Sequence, residues 1–308
     1  MEGHMKTALQ VVVTLVIILL GLTACGQSNV AAPATASTTA PAAASEEPLQ
    51  MMVSILPQKY FVERVGGDRV KVSVMVDPGA SPATYEPKPE QLTALSQAKA
   101  YFSIGVPFEK AWLERIQAAN PAMRMVDTTK GIERMPMGAG GQNLDPHIWL
   151  SPALVKVQAQ TIADALAELD PAYATTYQSR LDSFKADIDA LDASIRQTLE
   201  GVSQRKFMVF HPSWGYFARD YGLEQIPIEI GGQEPSAAEL AALIERAKAE
   251  QIKVIFAQPQ FSTRAAETIA SQIGGEVLLI NPLNPDWLSN LQTVADTFAR
   301  VLKQGSVR

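Results

Sequence analysis

Short apolar runs alternate with amphipathic stretches along most of the chain, and this alternation sets the first expectation about its fold. The runs at 51–56, 70–76, 101–104 and 123–126 are apolar and bounded by polar or turn residues, which predicts strands with helical segments between them. A second set follows at 207–210, 226–230, 254–256 and 277–280, again separated by helix-like stretches such as 237–250. This repeated β-α order predicts an α/β protein with two similar lobes, each built on a parallel sheet covered on both faces.

Between the two sets lies the cleanest helical pattern in the chain. Tyr173, Tyr177, Leu181, Phe184, Ile188, Leu191, Ile195 and Leu199 recur at spacings of three and four. Pro171 suits a first helical turn and Gly201 a C-terminal stop. One backbone helix of about 45 Å would then join the lobes. The expected partition is an N-terminal lobe over 49–170, a linking helix over 171–202 and a C-terminal lobe over 203–308. A continuous helix is stiffer than a pair of crossing strands, so only a small adjustment on ligand binding is expected.

The N-terminus breaks the alternation. Lys6 precedes an almost unbroken apolar run over 11–22, which ends in Leu22-Thr23-Ala24-Cys25. That run is shorter than the ~20 residues needed to span a bilayer as a helix, so it predicts an export signal over 1–24. Leu-Thr-Ala-Cys resembles a bacterial lipobox, in which the thiol of the new N-terminal Cys carries the lipid. Cys25 is the only cysteine, which excludes an internal disulfide and makes lipidation the expected use of the residue. Residues 25–48, rich in Ala, Ser, Thr and Pro, read as a disordered tether that lets a folded domain stand off a membrane.

Composition narrows the function. The 308 residues are 47% hydrophobic and 19% charged, ordinary globular material long enough for two compact units. A net charge of −6 and the lack of any basic cluster interleaved with aromatics argue against a nucleic-acid partner. No Gly-x-Ser-x-Gly elbow, His-Glu-x-x-His helix or Cys/His pair is present, so an enzyme is not expected. Gly138-Ala139-Gly140-Gly141 lacks the Lys-Ser/Thr ending of a phosphate loop and reads as turn material, and the thioethers of Met135 and Met137 read as loop packing.

Of three histidines, His4 falls in the expected signal segment, leaving His147 and His211. His147 stands in Asp145-Pro146-His147-Ile148-Trp149, just before a helix expected to begin near Ser151-Pro152. His211 ends the run over 207–210 and precedes Pro212-Ser213-Trp214. Ligands of parallel α/β sheets gather beyond the carboxyl ends of strands, and neutral imidazole is the commonest metal-binding side chain. These segments, with Gly79-Ala80-Ser81-Pro82-Ala83-Thr84-Tyr85-Glu86-Pro87, Glu234-Pro235-Ser236, Gln258-Pro259-Gln260-Phe261-Ser262 and Asn281-Pro282-Leu283, resemble the zinc- and manganese-binding lipoproteins of ABC importers, solute-binding protein family 9, cluster A-I.

The resemblance implies two α/β lobes bridged by one long helix and a metal held between them by four side chains. Two of the four match as His147 and His211. The third position falls on Ala83, which has no donor atom, and the fourth on Asn281, whose neutral amide oxygen is a weak ligand. The His-rich loop common in zinc members has no counterpart here. The resemblance thus implies an extracytoplasmic, lipid-anchored, monomeric protein that delivers zinc, or manganese, to an ABC permease and its ATPase from an incomplete site. Glu86 or Glu229 could add a carboxylate. The alternatives are the same scaffold with a non-metal solute or metal chelate walled by Trp149, Trp214 and Tyr85, or a surface adhesin.

Overall fold

A computed structural model describes residues 47–137 and 143–304; Cys25, the signal segment, nearly all of the tether and the glycine-rich turn lie outside them. The chain begins with β1 (Leu49–Val53), α1 (Leu56–Gly66), β2 (Val70–Val74), α2 (Pro89–Leu95), β3 (Ala100–Ser103), α3 (Pro107–Ala119) and β4 (Arg124–Asp127). A short hairpin, β5 (Pro136–Met137) and β6 (Asn143–Leu144), leads to α4 (Pro152–Leu169) and the long α5 (Ala174–Thr198). Then come β7 (Lys206–Val209), α6 (Gly215–Tyr221), β8 (Glu224–Pro227), α7 (Ala237–Ala249), β9 (Val254–Ala257), α8 (Arg264–Ile273), β10 (Glu276–Leu279) and α9 (Trp287–Gln304).

All pairings within the two four-stranded sheets are parallel, in the orders β2-β1-β3-β4 and β10-β9-β7-β8. Counted from the first strand of each lobe, both orders are the same, so the two lobes share one topology. Each has its switch point between the first and third strands, where chain direction sends successive helices to opposite faces and leaves a crevice beyond the strand ends.

Local chemistry explains the element ends. Leu56, expected at the end of a strand, instead opens α1: Pro57 presets the helical φ, and the Gln58 amide oxygen accepts the Ser54 N–H at 3.1 Å, closing the strand off. Ser151 caps α4 by accepting from the Leu154 N–H at 3.3 Å. Pro171 begins a 3-10 turn (Pro171–Tyr173) rather than α5 itself. There Asp170 accepts from Arg69 Nη2 and Tyr177 Oη, both at 3.0 Å, and the α-helix starts one turn later.

Tyr177, Leu181, Phe184, Ile188, Leu191 and Ile195 form the buried stripe of α5, which packs on α4, α1 and α9. The last helix is a second bridge. Trp287 at its start meets Phe61 of α1 edge-to-face at 5.2 Å, and Phe298 lies 4.7 Å from both Phe207 and Phe256 of the second sheet. One buried cluster therefore runs from the first sheet through α5 and α9 to the inner face of the second, while its outer face forms a separate cluster with α7 and α8.

Candidate metal centre

His211 lies just past β7, and Gln258 just past β9, so the pair stands at the switch point of the second sheet. The buried Gln258 amide clasps the His211 backbone: Oε1 accepts its N–H at 3.1 Å and Nε2 donates to its carbonyl at 2.6 Å. The Phe261 ring stacks on the imidazole with centroids 4.7 Å apart and planes at 21°. Gln258 and Phe261 were visible in the sequence only as motif letters. Nothing in spacing reveals that an amide 47 residues on would hold a histidine's backbone.

In the first lobe the equivalent crevice is filled. Ser54 Oγ bonds to both Tyr101 Oη and Glu109, and Glu109 accepts from the Ile104 N–H at 3.0 Å and the Gly105 N–H at 2.7 Å. Burial pushes the Glu109 carboxyl up. His147 arrives by another route, in the turn between the β5–β6 hairpin and α4, where it precedes a 3-10 turn (Ile148–Leu150).

Each imidazole is oriented by a carboxylate. Asp145 Oδ1 lies 2.7 Å from His147 Nδ1 and also accepts the His147 backbone N–H at 2.9 Å. Glu229 Oε2 lies 2.8 Å from His211 Nδ1. A carboxylate on Nδ1 keeps the ring proton there and leaves the Nε2 lone pair free. Burial holds the His211 pKa below the ordinary histidine range, although Glu229 favours the charged ring, so the imidazole is neutral at pH 7. The two Nε2 atoms face each other at 3.3 Å.

The remaining sequence candidates behave differently. Ala83 is exposed in a turn where its N–H donates to Ser81 Oγ at 3.2 Å, and it offers no ligand. Asn281 Oδ1 already accepts from Gln260 Nε2 at 2.9 Å and the Leu283 N–H at 3.0 Å, so coordination there would cost one of those bonds. Glu229 is committed to orienting His211, and Glu86 is exposed. Among the described residues no group of three or more His, Cys, Asp or Glu side chains could hold a metal ion.

The proposed aromatic walls for an organic solute are also otherwise engaged. Trp214 is fully buried against Phe217 and Phe298, and Trp149 is buried with its indole N–H on the Pro282 carbonyl at 2.7 Å. Tyr85 packs on Phe108 and donates to Gln91. Cavities of about 330 and 460 Å³ lie elsewhere, beside Arg69 and Arg180 and beside Lys206 and Arg300. No helix among the described residues is long and apolar enough to cross a membrane.

Comparison with known proteins identifies the family. The family described as the periplasmic zinc-uptake complex component A, ZnuA, matches residues 51–301. The high-affinity zinc uptake system protein ZnuA of Bacillus subtilis is 28% identical over 271 residues, covering 82% of this chain and 84% of its own. A crystal structure of ZnuA is 52% identical with a TM-score of 0.80, covering 82% of this chain and 99% of that one. A zinc-bound deletion mutant of ZnuA is 51% identical, also with a TM-score of 0.80, over 83% of this chain and 98% of that one. With two similar parallel-sheet lobes joined by one long helix and a match across most of its length, the chain belongs to the ZnuA family of solute-binding components of metal-uptake ABC transporters.

Proposed function

We propose that the protein captures a divalent metal, zinc, between His147 and His211 at the interlobe cleft and passes it to the permease and ATPase of its importer. The observation that carries this reading is the 3.3 Å separation of the two Nε2 atoms. With a carboxylate holding each Nδ1 proton, two lone pairs face each other, and they repel unless a cation lies between them. A shared proton is a weak answer, because 3.3 Å exceeds the usual ~2.7–3.2 Å hydrogen-bond range. A tetrahedral zinc site with Zn–N of about 2.0–2.1 Å has N···N edges of about 3.3–3.4 Å, which matches the spacing. Imidazole also suits zinc better than manganese, which favours oxygen donors.

The other two positions fall to water, so the ligand set is incomplete and affinity should be roughly micromolar, about 8 kcal/mol of binding. Cys25 carries the lipid that anchors a monomer outside the cytoplasm, with 1–24 removed and 25–48 as the tether. The folded part divides into lobes over 49–170 and 203–308 with 171–202 between them. Native mass spectrometry and calorimetry on protein purified without chelator should find one zinc per chain, lost in His147→Ala. Zinc binding that survives His147→Ala would place the site elsewhere.

A further inference from the structure

The β5–β6 hairpin ends in an irregular pair. In a regular antiparallel ladder, two hydrogen-bonded residues exchange both N–H···O bonds directly. Here Asp145 N donates to the Met135 carbonyl at 2.8 Å, but the return bond is missing. In its place the Tyr216 hydroxyl is inserted: Met135 N donates to Oη at 2.9 Å, and Oη donates to the Asp145 carbonyl at 3.0 Å. Tyr216 is fully buried and comes from α6 of the second lobe, five residues after His211.

The neighbouring residue reaches the same target. A Cβ built on Gly215 would lie 3.1 Å from Asp145 Oδ2 and 3.5 Å from Met135 Cε, so a side chain at 215 would press the carboxylate aside by a few tenths of an ångström. One short segment of the second lobe therefore supplies His211 and also grips, through Gly215 and Tyr216, the residue that orients His147 in the first. Were the hydroxyl absent, Met135 N–H and Asp145 C=O could close directly. Two bonds of 2.9 and 3.0 Å would collapse into one of about 2.9 Å. The Asp145 backbone would move with them, and its carboxylate would leave the His147 ring.

Resting on the zinc reading above, we infer that Gly215 and Tyr216 are positioning residues of the metal centre, setting the spacing of the two Nε2 atoms through Asp145. Loss of an outer partner of a metal-binding histidine typically costs about 10–100-fold in affinity, so Tyr216→Phe should weaken zinc by about tenfold. Gly215→Ala separates positioning from folding. Gly215 opens α6 in ordinary helical backbone, where Ala favours the helix and offsets the crowding, so the metal-free melting temperature should hold near the wild type while zinc affinity falls.

The test is a competition titration with a chromophoric chelator on the wild type, both variants, Asp145→Ala, and Asp145→Ala combined with Tyr216→Phe. Action through Asp145 predicts that Tyr216→Phe adds nothing once Asp145 is gone. Additive losses, or wild-type affinity in both single variants, overturn the inference while leaving the zinc reading intact. Hydrogen exchange on metal-free protein supplies an arm that does not depend on zinc. The His147 amide, bonded to Asp145 Oδ1, should exchange faster in Tyr216→Phe, and unchanged exchange overturns the inference as well. If the wild type binds no zinc but its His147 amide responds, the zinc reading falls and the positioning role stands.

Discussion

Asn281→Asp is the substitution that should most improve the site, and the structure shows why it costs little. The Asn281 amide oxygen is bonded to Gln260 Nε2 and Leu283 N–H, whereas its Nδ2 makes no hydrogen bond among the described residues. A carboxylate keeps one oxygen for those two donors, strengthened by charge, and exchanges the idle amide nitrogen for an anionic oxygen. If the side chain borders the His pair, as its motif position implies, zinc gains a third protein ligand. A lost outer partner changes affinity about 10–100-fold, so an added direct ligand should give at least that, or about 1.4–2.8 kcal/mol. At saturating zinc this gain enters stability as RT ln(1 + [L]/Kd). A domain of this size shifts by about 2–4 °C per kcal/mol, so the zinc-bound melting temperature should rise by roughly 3–11 °C over zinc-bound wild type. Differential scanning calorimetry with and without zinc, alongside chelator competition, reads both quantities. A variant that folds as the wild type does, yet binds zinc no more tightly, would show that position 281 does not face the histidines.

Three further outcomes are expected. Cys25→Ser should abolish incorporation of labelled fatty acid and release the protein from membranes; label retained in the variant would exclude Cys25 as the lipid site. Metal-free protein should lose stability as pH falls: His211 has its pKa depressed by burial, so below the unfolded value near 6.5 the unfolded chain takes up a proton that the folded one refuses. Urea midpoints at about pH 7.5 and 5.5 should therefore differ more in wild type than in His211→Gln, and equal differences would mean the ring titrates normally. Small-angle scattering with and without zinc should superimpose, and a marked compaction would refute the stiff-scaffold expectation.

The fold was legible because burial imposes a period. The eight strands of the two parallel sheets were predicted to within a few residues, the β5–β6 hairpin was not, and the α5 stripe from Tyr177 to Ile195 reads directly as helix. What periodicity cannot say is which partner an apolar face meets. For α9 only the structure shows Trp287 against Phe61 and Phe298 against the second sheet. The site was half legible for a similar reason. His147 and His211 stand out because histidine is rare in this chain, whereas Glu229, Gln258 and Tyr216 act through long-range bonds to backbone or ring atoms. Residue type and local spacing carry no mark of such pairing. Glu229, one of two carboxylates the sequence offers beside the histidines, lies on His211 Nδ1.

A stiff scaffold and the two-histidine ligand set proposed above fit together. Trp149 of the first lobe donates its indole N–H to Pro282, and its carbonyl accepts from Trp287 Nε1 at 2.6 Å, so both bonds tie the first lobe to the chain's last segment. Each is buried, and leaving either unmade costs about 1–3 kcal/mol. Opening the lobes would also expose the apolar cluster that α5 and α9 share. A binding protein that swings widely can recruit new ligands by closing, but this scaffold holds its donors where they already stand. The grip on a metal is then set in advance by the 3.3 Å spacing of two imidazoles and by whatever water supplies. On the proposed zinc reading such an ion would be held by two protein bonds rather than four, and a permease would have correspondingly less to undo when it takes the ion away.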